Sequence, residues 1–310
     1  MHKYNYIFRT PEKFTQQYLR SFVADSERLF RMKGKEVEGV LFDTKKTTEV
    51  NILGVLLIYK FFEYSILEKC FSGPKCTLNQ CNYLQKTLAR YGFKDMVDQF
   101  LRDKIPEDYS MEFNQGRDGV FIAPMALNRG QSRETTESRY SSKIRDYYSY
   151  DETIVFIILQ CLGEIASNFV EHAVTDTKSI LVATGNRQYF EIACADTGDG
   201  IVSTLGPVLG RKSIQRFEVV EKALEKGVTS KANSGHMGFG LWLIDEFAAA
   251  SYGDFCVCSE GGYFYRHGRH IKRGECGHWK GTIVYVKMPL NRMDAMHETI
   301  ARMKEEYINY

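Results

Sequence analysis

The sequence has neither a strong net charge nor an apolar run long enough to span a bilayer. Its 41 basic and 39 acidic side chains nearly cancel, giving a formal net charge of +2. A global electrostatic attraction to nucleic acid or to an anionic membrane is therefore not expected. The longest uncharged apolar runs, near Val50–Tyr59 and Thr153–Gly163, fall short of the roughly 18–20 residues that cross a membrane. We therefore predict a protein with no membrane partner.

Cysteine is sparse, and the first residues are polar. Eight cysteines among 310 residues are too few for a disulfide scaffold. The start, Met1 to Tyr6, has no apolar core of the signal-peptide type. Both absences favour a reducing compartment, so we predict a cytoplasmic protein.

The length and composition are those of a folded chain of about two domains. The hydrophobic fraction of 44% and the charged fraction of 26% are near the globular averages. At roughly 150 residues per domain, the length predicts two domains, each large enough for a core. A polar, Ser/Thr-rich stretch within residues 130–142 is typical of a linker. We therefore divide the chain into a domain at 1–105, a connecting segment at 106–150 and a second domain at 151–310.

Strand and helix patterns alternate in both predicted domains, which indicates an α/β protein. In the first domain, strands at Val37–Asp43 and Lys75–Leu78 alternate with helices at Val50–Cys70 and Gln80–Tyr91. In the second domain, Asp151 is the predicted N-cap of an amphipathic helix that runs to about Ala173. Further strands are predicted near 179–184, 188–195, 255–259, 263–266 and 281–288, and further helices near 241–250 and 292–308.

Three polar residues interrupt the apolar stripe of the helix that follows Asp151. At about 100° per residue, Glu164, Asn168 and His172 share one face of that helix. Asn168 and His172 fall inside the arc of the apolar stripe, and Glu164 lies at its edge. Burying a polar group without a partner costs about 1–3 kcal/mol. These side chains therefore either satisfy one another or face a polar ligand pocket, and the helix alone leaves both interpretations open.

Two glycine-containing motifs follow this helix. Asp196 ends an apolar strand beside Gly198 and Gly200, which holds a carboxylate rigidly while a ligand approaches the backbone. Such an acceptor suits an exocyclic amine, although the same residue types also make ordinary turns. The second motif is a set of glycines that precede a predicted helix: Gly235, Gly238 and Gly240. Exposed amides at a helix N-terminus bind phosphate, but this spacing matches neither a Walker A loop nor a dinucleotide fingerprint.

In this order, the motifs resemble those of the GHKL ATPase superfamily over about half of the chain. The resemblance is carried by Glu164-Ile165-Ala166-Ser167-Asn168 with His172-Ala173 (N box), Asp196 to Gly200 (G1 box), Gly235 to Leu241 (G2 box) and Gly281-Thr282 (Gly-Thr box). It implies a Bergerat fold, a mixed β-sheet with helices on one face, which binds ATP and Mg²⁺. Four motifs in the right order make the resemblance specific.

The resemblance also implies a role for each matching residue. Asp196 would accept a hydrogen bond from the adenine amine, supported by Thr282. Asn168 would ligate the Mg²⁺ that bridges the phosphates. Glu164 would orient or deprotonate the attacking group, which is the role of a catalytic base. The remaining nucleotide-binding residues would be His172, Gly198, Gly200, Lys231, Gly235, Gly238, Gly240 and Leu241.

Residues 201–234 mix glycines with a short helical pattern, which predicts a mobile excursion rather than core. The resemblance implies that residues 202–234 form an ATP lid. The charged residues of the segment are Arg211, Lys212, Arg216, Lys222, Lys226 and Lys231 against Glu218, Glu221 and Glu225, a balance of +3 (six minus three). Lys231 is nearest the G2 glycines and is the best candidate for a phosphate contact. The other cations fit a solvated helix equally well.

Within the superfamily, the helix motif is closest to the anti-sigma-factor serine kinase branch, whose partners are STAS domains. Val40–Asp43 followed by Val50–Leu57 is similar to the strand, loop and helix start of a STAS domain. Phosphorylatable STAS proteins have a serine just before that helix, where this chain has Glu49-Val50-Asn51, with Thr47 and Thr48 nearby. The N-terminal STAS-like domain is therefore expected to dock or regulate rather than to be a substrate in cis.

Two classes of function follow. In the first, the chain hydrolyses ATP and reports its ATP or ADP state to a partner that is STAS-like or a regulatory factor; a variant of this class is a serine/threonine kinase of a separate STAS-like protein. In the second, ATP is held without turnover and the chain sequesters a partner such as a sigma factor. Glu164 favours the enzyme, because a pure binder needs no carboxylate near the γ-phosphate. The sequence leaves a homodimer open.

A cluster near the C-terminus supports two further interpretations. It includes the zinc-ligand types Cys256, Cys258, His267, His270, Cys276 and His278, but at no common zinc spacing. Cys256 and Cys258 fall on one face of a predicted strand, where thiols pack as small hydrophobes. Basic and aromatic side chains interleave between Tyr263 and Lys280, as in sites for single-stranded nucleic acid. The near-neutral net charge disfavours that second interpretation.

Overall fold

The computed structural model describes an α/β chain built around one large sheet. The described residues are 6–32, 40–65, 76–79, 86–87, 90, 113–116, 119–127, 133–149, 151–172, 179–210, 214–231 and 238–308. The α/β class that the alternation of strands and helices predicts is confirmed.

The N-terminal unit contains a small parallel sheet and two helices. Its elements are β1 (Tyr6–Arg9), β2 (Lys13–Phe14), α1 (Leu19–Arg31), β3 (Val40–Asp43), β4 (Glu49–Val50), α2 (Ile52–Tyr64) and β5 (Cys76–Asn79). Strands β1, β3 and β5 form a parallel sheet in that order, and β2 pairs with β4. The predicted strands and the helix after Val50 are confirmed over their described residues. Most of the predicted helix at Gln80–Tyr91 lies outside the described residues.

The rest of the chain forms the large sheet and the helices packed on it. Its elements are β6 (Phe113–Gly116), β7 (Gly119–Leu127), α3 (Arg133–Tyr147), α4 (Glu152–His172), β8 (Ser179–Gly185), β9 (Tyr189–Ala195), α5 (Ile201–Leu205), α6 (Arg216–Lys222), α7 (Gly240–Ser251), β10 (Asp254–Ser259), β11 (Gly262–His267), β12 (His270–Glu275), β13 (Thr282–Pro289) and α8 (Met293–Ile308). The strand order is β12-β11-β10-β13-β9-β8-β7-β6. The predicted strands and helices of this region are confirmed, and the sequence patterns missed β6, β7, β12 and α3.

Every neighbouring pair in the large sheet is antiparallel. The prediction of a mixed sheet in this region is therefore wrong. The physical reason is that tight hairpins join β8 to β9, β10 to β11 and β11 to β12, and a hairpin can connect only antiparallel neighbours. Parallel pairing within the described residues is confined to the N-terminal unit.

Helix α4 is the central helix of the core. The predicted N-cap Asp151 is confirmed, since its Oδ1 accepts hydrogen bonds from the backbone N–H of Thr153 and of Ile154. Among the described helices, α4 alone is long and apolar enough to cross a membrane, and half of its most apolar stretch is buried. The core helix of a soluble protein has the same properties. The packing of α4 is therefore compatible with a soluble protein.

The large sheet is packed on both faces. Along β9, Phe190, Ile192 and Cys194 belong to the core formed with α3, α4, α7 and α8. Ala193 and Ala195 point the other way and belong to the core formed with the N-terminal unit. This alternation is the period of two that a strand imposes on its side chains. The core of the N-terminal unit is thus continuous with one face of the large sheet, rather than separate from it as a two-domain division implies.

The predicted connecting segment at 106–150 is wrong over its described part. Residues 113–116 form the edge strand β6, which pairs with β7, residues 119–127 form β7, which pairs with β8, and residues 133–147 form α3. The polar composition of α3 conceals a buried side formed by Tyr140 and Ile144. In β7 the strand pattern is broken by Pro124, which falls in a register shift between Ile122 and Met125. A proline lacks the N–H for the ladder, so it is tolerated at such an irregularity.

The predicted lid is only partly an excursion. Val219, Val220 and Leu224 are buried, and α6 packs against β11, where a Cβ on Gly262 would meet the backbone carbonyl of Arg216. The prediction that residues 202–234 lie outside the core is therefore wrong for α6. The reason is that the apolar spacing of this short helix is satisfied by the same sheet face that packs α4 and α7.

Candidate functional site

The C-terminal half of α4 presents the three predicted polar side chains at intervals of four residues. Glu164, Asn168 and His172 are each partly buried. The side-chain Nδ2 atom of Asn168 is buried and has no hydrogen-bond partner within the described part of the chain. An unsatisfied buried donor costs about 1–3 kcal/mol. The Asn168 amide nitrogen is therefore a buried donor that lacks a hydrogen-bond acceptor in the described residues.

The start of α7 lies directly against these side chains. A Cβ placed on Gly240 would lie 2.5 Å from Oε2 of Glu164 and 3.1 Å from Nδ2 of Asn168. Only glycine leaves the carboxylate and the amide their present positions beside the first turn of α7. We call Glu164, Asn168 and Gly240 the Asn168 group. The predicted N box and G2 box are therefore in contact.

The other G2 residues occupy different positions. Gly238 has a φ of +68°, and its carbonyl accepts a hydrogen bond of 3.1 Å from the N–H of Gly227. A Cβ on Gly238 would lie 2.7 Å from the carbonyl oxygen of Val228. Leu241 is partly buried against the helical core, so its side chain contributes packing. Gly235 lies outside the described residues.

Asp196 is held rigidly at the end of β9, as the sequence predicts. Its side chain is only 1% exposed. Oδ1 accepts a hydrogen bond of 2.7 Å from the N–H of Gly198, and Oδ2 accepts one of 3.3 Å from the N–H of Thr282. A Cβ on Gly281 would lie 2.2 Å from Oδ1 of Asp196. The carboxylate is therefore fixed by two backbone donors and by a glycine that leaves room for it.

Ser259, which the sequence patterns missed, ties this region together. Its hydroxyl donates to the carbonyl of Gly281 at 2.9 Å, lies 3.1 Å from Oγ1 of Thr282, and accepts a hydrogen bond of 2.8 Å from the N–H of Ile201. Gly200 packs against Ser259, since a Cβ there would lie 2.5 Å from the Ser259 Oγ. No local pattern marks Ser259, because its partners come from two distant segments, 200–201 and 281–282. We call Asp196, Gly198, Ser259, Gly281 and Thr282 the Asp196 group.

Strands β8 and β9 place the Asp196 group at one edge of the large sheet, and α4 precedes β8 in the chain. Asp196 directly follows Ala195, the last residue of β9. Strand β8 begins at this edge with Ser179, since Ile180 pairs with Ala195. Helix α4 ends at His172, and six residues separate it from Ser179. A connection of that length spans at most about 25 Å, so the end of α4 lies within that distance of the start of β8.

Lys231 lies at the end of α4. Its Nζ donates a hydrogen bond of 2.5 Å to the backbone carbonyl of Glu171. Next to it, the Ser230 hydroxyl is 3.4 Å from Nδ1 of His172. A cation at the C-terminus of a helix is favoured by the helix dipole. In this structure Lys231 and Ser230 thus join the segment before α7 to the end of α4.

The other described cations of the predicted lid also have protein partners. Lys222 pairs with Glu225, and the Lys226 ammonium lies 5.2 Å from the ring centre of Trp242. The Arg216 side chain packs against Gly261. Two of the six predicted lid cations, Arg211 and Lys212, lie outside the described residues. The four described cations each contact other residues of the fold.

The Cys/His cluster does not assemble into a ligand set within the described residues. Cys256 and Cys258 are buried on the sheet face that packs against the N-terminal unit, as expected for small hydrophobes. Burial raises the pKa of Cys256, and the adjacent Cys276 thiol together with burial raises the pKa of Cys258. His267 bonds to Asp254 through Nδ1 at 2.9 Å.

The interleaved basic and aromatic residues are also used within the fold. Tyr263, Phe264 and Trp279 are buried and offer no stacking surface. Arg266 forms a two-pronged ion pair with Asp245 that joins β11 to α7. These contacts remove the aromatic platform on which a nucleic-acid strand would stack.

The comparisons with known proteins return no relative. No family model matches the chain, and no curated protein is significantly similar to it. What the chain does is therefore inferred from the Asn168 group and the Asp196 group.

Proposed function

We propose that the chain binds Mg²⁺·ATP between the Asp196 group and the Asn168 group, as the resemblance to the GHKL superfamily implies, and that it hydrolyses ATP to signal to a partner protein in the cytoplasm. The observation that carries the proposal is the buried, unpartnered Nδ2 of Asn168 beside Gly240. A donor that the fold leaves unsatisfied at a glycine-lined helix start is explained by a ligand that brings the acceptor.

The Asp196 group fits the adenine end of the nucleotide. Each Asp196 oxygen accepts one backbone hydrogen bond, and a carboxylate oxygen can accept a second. The exocyclic amine of adenine is a donor of the required kind. Thr282, held by Ser259, supports that contact, and Gly198 and Gly200 let the ring approach the backbone.

The Asn168 group fits the phosphate end. Asn168 offers an amide oxygen, a ligand type that Mg²⁺ accepts, together with the amide nitrogen that needs an acceptor. The backbone amides at the start of α7, from Gly238 to Gly240, add the positive end of a helix dipole. Bound Mg²⁺ would neutralise phosphate charge during transfer of the phosphoryl group.

The carboxylate of Glu164 is the proton acceptor in this proposal. It lies beside the first turn of α7, where a Cβ on Gly240 would touch it. A carboxylate in that position is able to orient a water molecule and take its proton, provided that the water lies within hydrogen-bond reach. A site that only holds ATP has no need of this group, so Glu164 supports turnover over sequestration.

Binding is tested with Asp196→Asn and, as the matched control on the same loop, Asp199→Asn. We expect Asp196→Asn to weaken Mg²⁺·ATP binding about 10- to 100-fold in isothermal titration calorimetry, because the variant places a donor where an acceptor is required. Asp199→Asn is expected to bind like the wild type, since Asp199 is partly exposed. Thermal unfolding of both variants checks that the fold is kept. Equal affinities in the three proteins would contradict the assignment of the pocket.

Turnover is tested with Glu164→Gln, and Glu171→Gln on the same helix is the control. We expect Glu164→Gln to bind Mg²⁺·ATP normally and to lose about 100-fold or more of its hydrolysis, the usual contribution of a general base. ATP labelled at the γ-phosphate separates the alternatives: label in free phosphate supports an ATPase, and label in a copurified protein supports a kinase. Label that stays in ATP supports a sequestering module and contradicts hydrolysis.

A further inference from the structure

Two thiols lie close together behind the Asp196 group. The Sγ atoms of Cys258 and Cys276 are 3.4 Å apart. Cys258 is buried in β10, whereas Cys276 follows β12 and is partly exposed. A disulfide needs an S–S distance of about 2.05 Å, so a small displacement of Cys276 would bring the two sulfurs to bonding distance.

We propose that Cys258 and Cys276 form a redox modification site, which a hydroperoxide converts to a disulfide and a thiol reductant restores. In the first step the Cys276 thiol is oxidised by hydrogen peroxide to a sulfenic acid, and the peroxide is reduced to water. In the second step the Cys258 sulfur attacks the sulfenic sulfur, the S–S bond forms, and the hydroxyl leaves as water with the Cys258 proton. Two thiols and one peroxide thus give one disulfide and two waters.

The surroundings assign the order of the two steps. Cys276 is the thiol that the oxidant reaches, because Cys258 is fully buried. The hydrogen bond with the Cys276 thiol, together with burial, raises the pKa of Cys258 and keeps it protonated. Cys256 is equally buried and accepts a hydrogen bond from Tyr263, whereas the Cys258 sulfur lies 3.4 Å from that of Cys276. Cys258 is therefore the resolving thiol.

The disulfide would act on the Asp196 group through two connections. Cys258 is followed by Ser259, whose hydroxyl contacts Gly281 and Thr282. Cys276 begins the segment that leads to Gly281, and in that segment Trp279 donates from Nε1 to the carbonyl of Asp196 at 2.9 Å. Drawing Cys276 toward β10 shifts this segment. The consequence for nucleotide binding rests on the proposed function, whereas the formation of the disulfide does not.

The thiol chemistry is tested on the full chain by peptide mapping after treatment with hydrogen peroxide. We expect a Cys258–Cys276 linked peptide in the wild type, and its loss after dithiothreitol. Cys258→Ser is expected to leave Cys276 as a sulfenic acid that dimedone traps, and Cys161→Ser, a buried cysteine of the helical core, is expected to form the bond normally. A bond from Cys276 to Cys256 or to any other cysteine, or two intact thiols after treatment, overturns the proposal.

The effect on the site is measured by two readouts on the oxidised and reduced wild type. Fluorescence of Trp279, followed in a Trp242→Phe background, is expected to change on oxidation whether or not ATP binds. Affinity for Mg²⁺·ATP is expected to fall about tenfold on oxidation, the loss caused by one misaligned hydrogen bond. A disulfide that leaves both readouts unchanged overturns the coupling. A fluorescence change in a protein whose reduced form binds no ATP refutes the proposed function and leaves the redox site standing.

Discussion

The buried polar groups on the two faces of the large sheet differ in whether they have hydrogen-bond partners. On the face covered by the N-terminal unit, Tyr285 donates to Glu191 at 2.6 Å, and Asn51 donates to Tyr285 at 3.2 Å and to Gln16 at 2.9 Å. Gln16 in turn donates to Asp254 at 3.0 Å. On the helical face, the Nδ2 atom of Asn168 has no such partner in the described residues. The described polar groups of the first face satisfy one another, whereas the described part of the helical face keeps two buried atoms without a partner, Asn168 Nδ2 and the Tyr148 hydroxyl.

We propose different roles for the two faces: one joins the N-terminal unit to the sheet, and the other binds the nucleotide. A buried polar chain whose members satisfy one another fixes how two parts of a protein meet. Asn51 shows this use, because its side chain also caps α2 through the N–H of Gly54. Asn51 thereby joins the N-terminal unit to the large sheet through the hydroxyl of Tyr285. The Thr47 hydroxyl is also used within the fold, since it is buried and lies 2.6 Å from the hydroxyl of Thr10.

The largest expected effect comes from Gly281→Ala, in the Asp196 group. Gly281 has a φ of +91°, and the new Cβ would lie 2.2 Å from Oδ1 and 2.7 Å from the backbone oxygen of Asp196. We expect the free energy of unfolding to fall by about 2–6 kcal/mol from backbone strain and overpacking, with loss of nucleotide binding. Chemical denaturation and calorimetry measure both.

Gly210→Ala controls for the backbone contribution in that experiment. Gly210 has a φ of +63°, and its Cβ would meet no described atom within 4 Å. We expect a loss of about 1 kcal/mol from strain alone, with nucleotide binding kept. If the two alanine variants lose equal stability, the close fit between Gly281 and Asp196 is not what holds the carboxylate.

A matched pair of asparagine variants tests the contrast between the faces directly. Asn51→Ala removes a helix cap and two side-chain hydrogen bonds, so we expect a loss of about 2–3 kcal/mol. Asn168→Ala removes an unsatisfied donor and places the best helix former in α4, so we expect stability to be kept or to rise by about 1 kcal/mol. Only Asn168→Ala should abolish the Mg²⁺ dependence of ATP binding. Urea denaturation at one pH gives both values, and similar losses would break the contrast.

Local patterns in the sequence predict the elements whose signal lies within one segment. The cap at Asp151, the apolar stripe of α4 and the hairpin of β8 and β9 are all confirmed because short-range spacing determines them. The outer strands β6, β7 and β12 are different. Their places in the sheet depend on pairing with distant segments, and β12 is exposed along nearly all of its length, so it has no apolar alternation to detect.

The same division holds for the candidate site. Glu164, Asn168 and Asp196 stand out in sequence because each interrupts an apolar pattern or ends one. Ser259 and Trp279 do not, since their roles follow from the register that sets Ser259 opposite Thr282 and from the loop that brings the Trp279 indole to Asp196. The lid cations show the converse: their charge is visible in sequence, but their partners are not.

The smallest expected effect is a pH dependence of the free energy of unfolding. It comes from Glu191, on the face covered by the N-terminal unit. Burial raises the pKa of Glu191 above its usual value near 4.5, with Asp254 adding to the shift and Tyr285, Lys287 and Arg90 opposing it. The native state therefore keeps the proton to higher pH than the unfolded chain. The stabilisation from this protonated group is full below about pH 4.5 and is lost as pH rises through the raised pKa.

Glu191→Gln removes this titration while keeping an acceptor for the Tyr285 hydroxyl. We expect the variant to gain stability relative to the wild type as pH rises from 4.5 to 8, by about 1 kcal/mol, the scale of one buried hydrogen bond. Glu49→Gln, at an exposed ion pair with Lys13, serves as the surface control and should show no comparable trend. A stability difference between Glu191→Gln and wild type that is flat across this range would mean that Glu191 is buried already charged. The face covered by the N-terminal unit would then hold the charge of Glu191 through Tyr285 and Lys287, and only the unpartnered atoms of the helical face would still distinguish the two faces.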